Sequence, residues 1–160
     1  MSPSCVECEQ RADRLFCDLA PEALREFDAI KSIQVFPKGT ILFREGQPGR
    51  GVFLLCQGRA RLSLCAEDGR HLTLRIASAG EILGLSATVS GGFYEVTAEA
   101  LEPVQVAEVR RRELLQFLRA HREVCLQVVG QLSDDLHVAY DRVRAVGLGR
   151  TRRAHPAAAH

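Results

Sequence analysis

Three cysteines stand near the start of the chain, Cys5, Cys8 and Cys17. Two thiolates separated by two residues fit one tight turn that aims both sulfurs at a single iron or zinc ion. Three thiolates are one short of an ordinary four-cysteine site. Cys56, Cys65 and Cys125 complete the set. A thiol redox switch and inert reduced thiols are the alternatives to a metal site. Histidine chemistry is not expected. The five histidines are spread over a turn (His71), two helical segments (His121, His137) and the tail (His155, His160), so they cannot converge as ligands in one barrel. The chain carries no Ser/His/Asp elbow and no phosphate loop, which argues against an enzyme.

The elements that must position these residues fall into three stretches. Pro21 at a first-turn position, followed by Glu22, Leu24, Phe27 and Ile30, predicts one short amphipathic helix after a cysteine-rich segment 1–20. From Ile33 to Val109 the pattern becomes seven short apolar runs separated by turns: 33–36, 40–43, 52–56, 60–65, 71–76, 96–101 and 104–109. That spacing predicts a sandwich or rolled barrel. Phe36-Pro37-Lys38-Gly39 reads as a type I turn, and Asp68-Gly69 as a two-residue hairpin. Around that hairpin Leu62 and Leu64 alternate with Arg61 and Ser63, and Leu72, Leu74 and Ile76 with Thr73 and Arg75, so each strand is expected to bury one face. Val52–Cys56 is apolar on both faces and should be central.

After Arg110 the period changes again. Leu114, Leu115, Phe117 and Leu118 mark a short helix, and a long helix follows from His121. Its apolar positions Cys125, Val129, Leu132, Leu136, Ala139, Val143 and Val146 alternate in steps of four and three, a heptad seam of the kind that joins two helices. The spacing predicts a homodimer through residues 121–146. A second strip (Val124, Val128, Val138) is available to lean on the barrel. The domains expected are 1–20, a β-roll at 21–120, the dimerisation helix at 121–148 and a basic, disordered tail at 149–160.

The residues also resemble a family. The stretch Pro37-Lys38-Gly39-Thr40-Ile41-Leu42-Phe43-Arg44-Glu45-Gly46 resembles the opening turn of the cyclic-nucleotide-binding domain, and Val52 to Leu62 resembles its next strands. Gly80-Glu81-Ile82-Leu83-Gly84 falls where that family places its ligand cassette. The long helix after the barrel is similar to that of the Crp/Fnr bacterial transcription regulators. The resemblance implies a double-stranded β-helix (jelly roll), a role as a dimeric sensor in transcription regulation and signal transduction, and an effector pocket at Gly80, Glu81, Tyr94 and Glu95.

Glu81 matches the family's ribose-binding glutamate. Tyr94 and Glu95 stand where its cyclic-nucleotide binders place the Arg and Ser or Thr that hold the phosphate. A carboxylate there repels a phosphate and no guanidinium compensates, so a cyclic nucleotide is not the expected ligand. Cys5, Cys8 and Cys17 resemble the cluster of the Fnr branch, which implies an oxygen-sensing iron–sulfur cofactor. The branch's fourth cysteine corresponds to Ala107. Among the substitutes Cys56 reads as core and Cys125 as seam, which leaves Cys65.

The family reads DNA with a helix-turn-helix after the long helix, and the dozen residues beyond Leu148 cannot hold one. This chain is therefore not expected to bind DNA alone; pairing with full-length family members is the alternative to a homodimer. The charge agrees: 21 basic against 20 acidic residues give a net +1, with no overall basic excess. Seven acids lie within residues 1–30, and no acid accompanies the five arginines from Arg142 onward. No stretch approaches the roughly 20 apolar residues of a membrane span, and the N-terminus lacks a secretory signal. The expected location is the cytoplasm.

Overall fold

The computed structural model describes residues 19–154, with side chains as far as Ala145. The chain divides into two units, Met1–Cys125 and Leu126–His160. Helix α1 (Pro21–Ile30) starts on its proline, whose missing N–H costs nothing at a helix start, and buries Ala23, Leu24 and Phe27. Strands β1 (Ser32–Phe36), β2 (Ile41–Phe43), β3 (Gly51–Gln57), β4 (Ala60–Cys65), β5 (His71–Ala77) and β6 (Ile82–Leu83) lead into α2 (Leu85–Ser90). Strands β7 (Thr97–Ala100) and β8 (Val104–Arg110) follow, then α3 (Arg111–Ala120) and α4 (Arg122–Ala154).

The strands form two antiparallel sheets, ordered β1-β8-β3-β6 and β2-β7-β4-β5. Phe53, Leu55, Leu83, Val104 and Val106 of the first meet Phe43, Ala60, Leu62, Ala98 and Ala100 of the second in one core. This is the jelly roll expected. Strand β3 lies inside its sheet and is buried from Gly51 to Leu55. Phe53 and Leu55 face the barrel core, while Val52 and Leu54 alternate to the face on which α3 packs. There Phe27 of α1 and Phe117 of α3 place their ring centroids 5.8 Å apart, and His121 bonds Glu26 across the same helix pair.

Four expectations need correction. The first turn lies one residue later: Thr40 N–H donates to Pro37 O at 3.2 Å and Gly39 has φ +90°, so the glycine occupies the third position, which requires positive φ. The second hairpin has a three-residue loop. Gly69 N–H reaches Ala66 O, Ala66 N–H reaches Arg70 O, and Gly69 (φ +88°) is the left-handed residue that ends it. The third correction concerns burial. Among the described residues strand β5 ends its sheet and pairs with β4 alone, and Leu72 and Ile76 are exposed. A register shift between Leu62 and Ser63 also breaks the alternation in β4, so Ser63 is buried. Finally, α4 continues to Ala154 instead of giving way to a tail at 149.

Candidate functional site

The cassette begins where β5 turns into β6. Gly80 has φ +101°; its N–H donates to Leu55 O at 2.7 Å, and Leu55 N–H returns a bond to Glu81 O at 2.9 Å. The turn is thus fixed to the end of β3. Both carboxylate oxygens of Glu81 are occupied from within. Oε2 accepts the Ser78 N–H at 2.7 Å and the Ser78 hydroxyl at 3.3 Å, and Oε1 accepts Arg75 Nη1 at 2.5 Å. Residues committed in this way hold the turn together.

The chain then passes through Gly84, the left-handed cap of α2 (φ +81°). A Cβ there would stand 2.8 Å from the ring of Tyr94. Tyr94 fills the space beside this glycine. Its ring stacks on Phe43 at 4.2 Å, and Phe43 stacks on Phe53 at 5.7 Å. The buried phenol donates to Gly51 O at 2.7 Å and accepts the Gly51 N–H at 3.2 Å. Thr88 Oγ1 donates to the same carbonyl at 2.9 Å. Tyr94 therefore joins the start of β3 to the segment after α2. Backbone bonds extend the joint, from Gly46 N–H to Tyr94 O and from Tyr94 N–H to Gln47 O.

A cavity of about 220 Å³ opens beside this aromatic group, lined by Tyr94, Phe43, Phe53, Gln47, Arg50 and Glu108 among others. Of the four residues expected to form the effector pocket, Tyr94 lines it; Gly80, Glu81 and Glu95 do not. Glu95 is exposed, one residue beyond the tyrosine. Glu108 is held by Gln34 Nε2 at 2.7 Å.

Cys5, Cys8 and Cys17 lie outside the described residues. Cys65 is exposed, Cys56 is half-buried, and Ala107 is buried between β1 and β3. Among the described residues no group of three His, Cys, Asp or Glu side chains is placed to hold a metal. On α4 the seam residues Val129, Leu136 and Val143 are 58%, 50% and 68% exposed; Cys125 and Ala139 are exposed and Leu132 is half-buried. The side chain of Val146 is outside the described set. Of the second strip, Val124 and Val128 are buried and Val138 is exposed.

Residues 33–121, more than half of the chain, match the cyclic nucleotide-binding domain family. The chain belongs to that family. The cyclic nucleotide-binding domain here has curated relatives that are bacterial transcription regulators of the Crp/Fnr kind. It is 25% identical over 142 residues to the transcriptional activatory protein AadR of Rhodopseudomonas palustris, covering 89% of this chain and 58% of that protein. It is 27% identical over 105 residues to the cyclic AMP receptor protein of Thermus thermophilus, covering 66% of this chain and 49% of that protein. The fold is that of the Thermus thermophilus catabolite activator protein (TM-score 0.78, 24% identity, 86% of this chain and 65% of that one). The chain spans about half the length of the curated relatives it matches.

One group of residues was not singled out from the sequence as a site. Arg50, Arg110, Arg111, Arg112 and Arg119 line a second cavity, a cleft between the loop before β3 and the outer face of α3. The consecutive arginines 110–112 were its visible signal; Arg50 and Arg119 join them only through the fold.

Proposed function

We propose that this domain is the sensory and dimerising part of a Crp/Fnr-type transcription regulator, working in the cytoplasm and without catalysis. The observation that carries the reading is the stripe of large apolar side chains left exposed along α4. Val129, Leu136 and Val143 recur at heptad spacing with Leu132, and each would remove apolar surface from water if a second copy of α4 lay against it. Burial of one such side chain contributes roughly 1.5–3 kcal/mol. Transcription-regulator relatives support the regulatory role, and among the described residues no helix is long and apolar enough to cross a membrane.

The signal sensed is something other than a cyclic nucleotide held in the family's usual manner. Tyr94, which the resemblance aligns with the family's phosphate-binding arginine, has its hydroxyl already bonded to Gly51, and Arg75 is paired to Glu81; the guanidinium that lines the cavity beside Tyr94 is that of Arg50, from the loop before β3. An iron–sulfur cluster on Cys5, Cys8 and Cys17 stays within the proposal as the redox input. Sedimentation equilibrium tests the dimer directly. A particle near twice the 17.6 kDa chain mass supports the reading, and a monomer at tens of micromolar refutes it. Iron and sulfide content of protein purified without oxygen tests the cluster.

A further inference from the structure

The arginine cleft gathers five guanidinium groups with no acidic side chain among its described lining residues. It is a broad, open depression of about 630 Å³ on the surface. Arg112, Leu115, Gln116 and Arg119 form one wall, at positions i, i+3, i+4 and i+7 on the face of α3 opposite the buried Leu114, Phe117 and Leu118. Arg50 and Pro48 form the facing wall. Among the described residues no carboxylate lines the cleft. Arg50, Arg110, Arg112 and Arg119 are exposed, and their side chains make no ion pair among the described residues. Such crowding of like charge is unfavourable in the empty protein. It is more so because Arg110–Arg112 sit at the N-terminus of α3, where the helix dipole already favours anions.

The floor of the cleft is shaped for close approach. Gly91 and Gly92 leave it without side chains at that point. Gly91 has φ +78°, and the Arg111 guanidinium lies 3.0 Å from where its Cβ would be. Arg111 Nε donates to Thr88 O at 2.8 Å, which anchors this one arginine to the end of α2. Arg111 N–H is spent on Arg50 O at 2.7 Å. The next amides of the first turn of α3 have no partner inside the helix. Leu115 and Pro48 add an apolar patch beside the charges.

We propose that this cleft binds a small molecule carrying two or more linked phosphates, such as a nucleoside diphosphate, as a second ligand site separate from the aromatic cassette. A single phosphate cannot neutralise five guanidinium groups, whereas a pyrophosphate carries three to four negative charges and offers oxygens to several arginines at once. The arginines come from two short stretches, Arg50 and Arg110–Arg119, within the span of one small anion rather than along an extended stripe. The apolar patch accepts the organic part. The proposal does not depend on dimerisation through α4 or on the cysteines.

The test uses the full chain and isothermal titration at physiological ionic strength, with inorganic pyrophosphate, ADP, orthophosphate and a polyglutamate peptide as probes. Pyrophosphate and ADP should bind at least about 10-fold more tightly than orthophosphate. Arg112→Glu with Arg119→Glu should weaken them by about 100-fold or more, because two charge-assisted contacts become repulsive. Arg50→Ala, on the facing wall, should weaken them by about 10-fold. Arg25→Glu with Arg44→Glu changes net charge equally at exposed positions outside the cleft and should leave binding intact. The proposal is overturned if wild-type chain binds neither pyrophosphate nor ADP. It is equally overturned if the Arg25/Arg44 variant loses binding as the cleft variant does, or if the acidic peptide binds while pyrophosphate does not.

Discussion

Replacing Tyr94 with phenylalanine separates a structural tyrosine from one poised for a ligand. Arg111 N–H bonds Arg50 O, so Gly51 and Arg110 form a non-hydrogen-bonded pair in the β3–β8 ladder. The N–H and C=O of Gly51 therefore face away from β8, and Tyr94 serves both, at 3.2 and 2.7 Å. Tyr94→Phe keeps the ring, its stacking on Phe43 and the fit against Gly84, and removes only the oxygen. The carbonyl retains Thr88 Oγ1. The Gly51 N–H is left buried and unpaired. Losing a neutral hydrogen bond costs about 0.5–1.5 kcal/mol, and a stranded buried N–H raises the cost to about 1–3 kcal/mol. With about 2 kcal/mol as the central value, Tm should fall by roughly 4–8 °C for a chain of this size. Thermal and urea unfolding measure it. A change below about 1 °C in Tm, with unchanged urea midpoint, would refute the placement of Tyr94 as the joint between β3 and the cassette. The same geometry predicts that Tyr94→Arg destabilises the fold far more than phenylalanine does, because it strands Gly51 and buries a charge.

Four further predictions follow from single contacts. Leu136→Glu, in the seam of α4, should shift the monomer–dimer equilibrium at least about 100-fold toward monomer by placing a carboxylate from each copy in an apolar interface; analytical ultracentrifugation reads it, and an unchanged dimer removes the seam. Gly49→Ala should cost about 1–3 kcal/mol, since its Cβ would stand 2.6 Å from the backbone carbon of Ala87 and 2.9 Å from its Cβ, and neither can rotate aside; wild-type stability by denaturant melting would contradict that close approach. Leu114→Ala, fully buried on α3, should cost about 2–5 kcal/mol in the same assay. Arg75→Ala should cost less than about 1 kcal/mol, because its ion pair with Glu81 is partly exposed on both sides; a larger loss would mean that the cassette turn depends on the guanidinium more than on the Ser78 N–H.

The seven expected strands are present because their signal is local: short β-branched and apolar runs bounded by Gly, Pro and Asp. Strand β3 was legible for the same reason, since Val52 to Leu55 could be apolar on both sides only if both sides were covered. Strand β5 shows the limit. Its Leu72, Leu74 and Ile76 alternate as clearly as a buried strand does, yet its outer edge has no partner strand and two of the three are exposed. Edge or centre is decided by sheet order, which alternation does not encode. Both turns were placed correctly by Pro and Gly and mistyped by one residue, because turn class depends on which carbonyl the closing N–H finds. Strand β6 falls inside the cassette 80–84 and helix α2 beyond it, and neither is expected from the sequence as an element; two and six residues carry too little period to register.

The site divides in the same way. Glu81 was found from its motif, but its partners Arg75 and Ser78 are set by how the turn closes. Tyr94 was singled out because it stands where an arginine was expected. Its actual partner, Gly51, is 43 residues away and is a backbone group, invisible to any reading of side-chain types. The arginine cleft needed three separate segments, at Arg50, Gly91 and Arg110–Arg119, to be brought together by the β8–β3 ladder.

Charge and packing have exchanged places around the loop that precedes β3. On its barrel side this chain places an aromatic ring in contact with Phe43 and closes the polar backbone of Gly51 on a phenol. On its other side, where α3 begins, the guanidinium groups of Arg50, Arg110, Arg112 and Arg119 gather with no ion pair among the described residues. Pro48 and Arg50 line both cavities, and Gly46 and Gln47 hold Tyr94 by backbone bonds. The two cavities thus have Pro48 and Arg50 in common, in the segment whose Gly46 and Gln47 bond Tyr94. A ligand that draws Arg50 toward the cleft pulls on the segment that fixes Tyr94, whose ring has Phe43 on one side and Gly84 beside it and so has little room to move independently. An Arg50 held by a ligand in the proposed cleft would therefore be felt first at Gly46, Gln47 and Tyr94, and the unfolding and binding assays above read both ends of that segment.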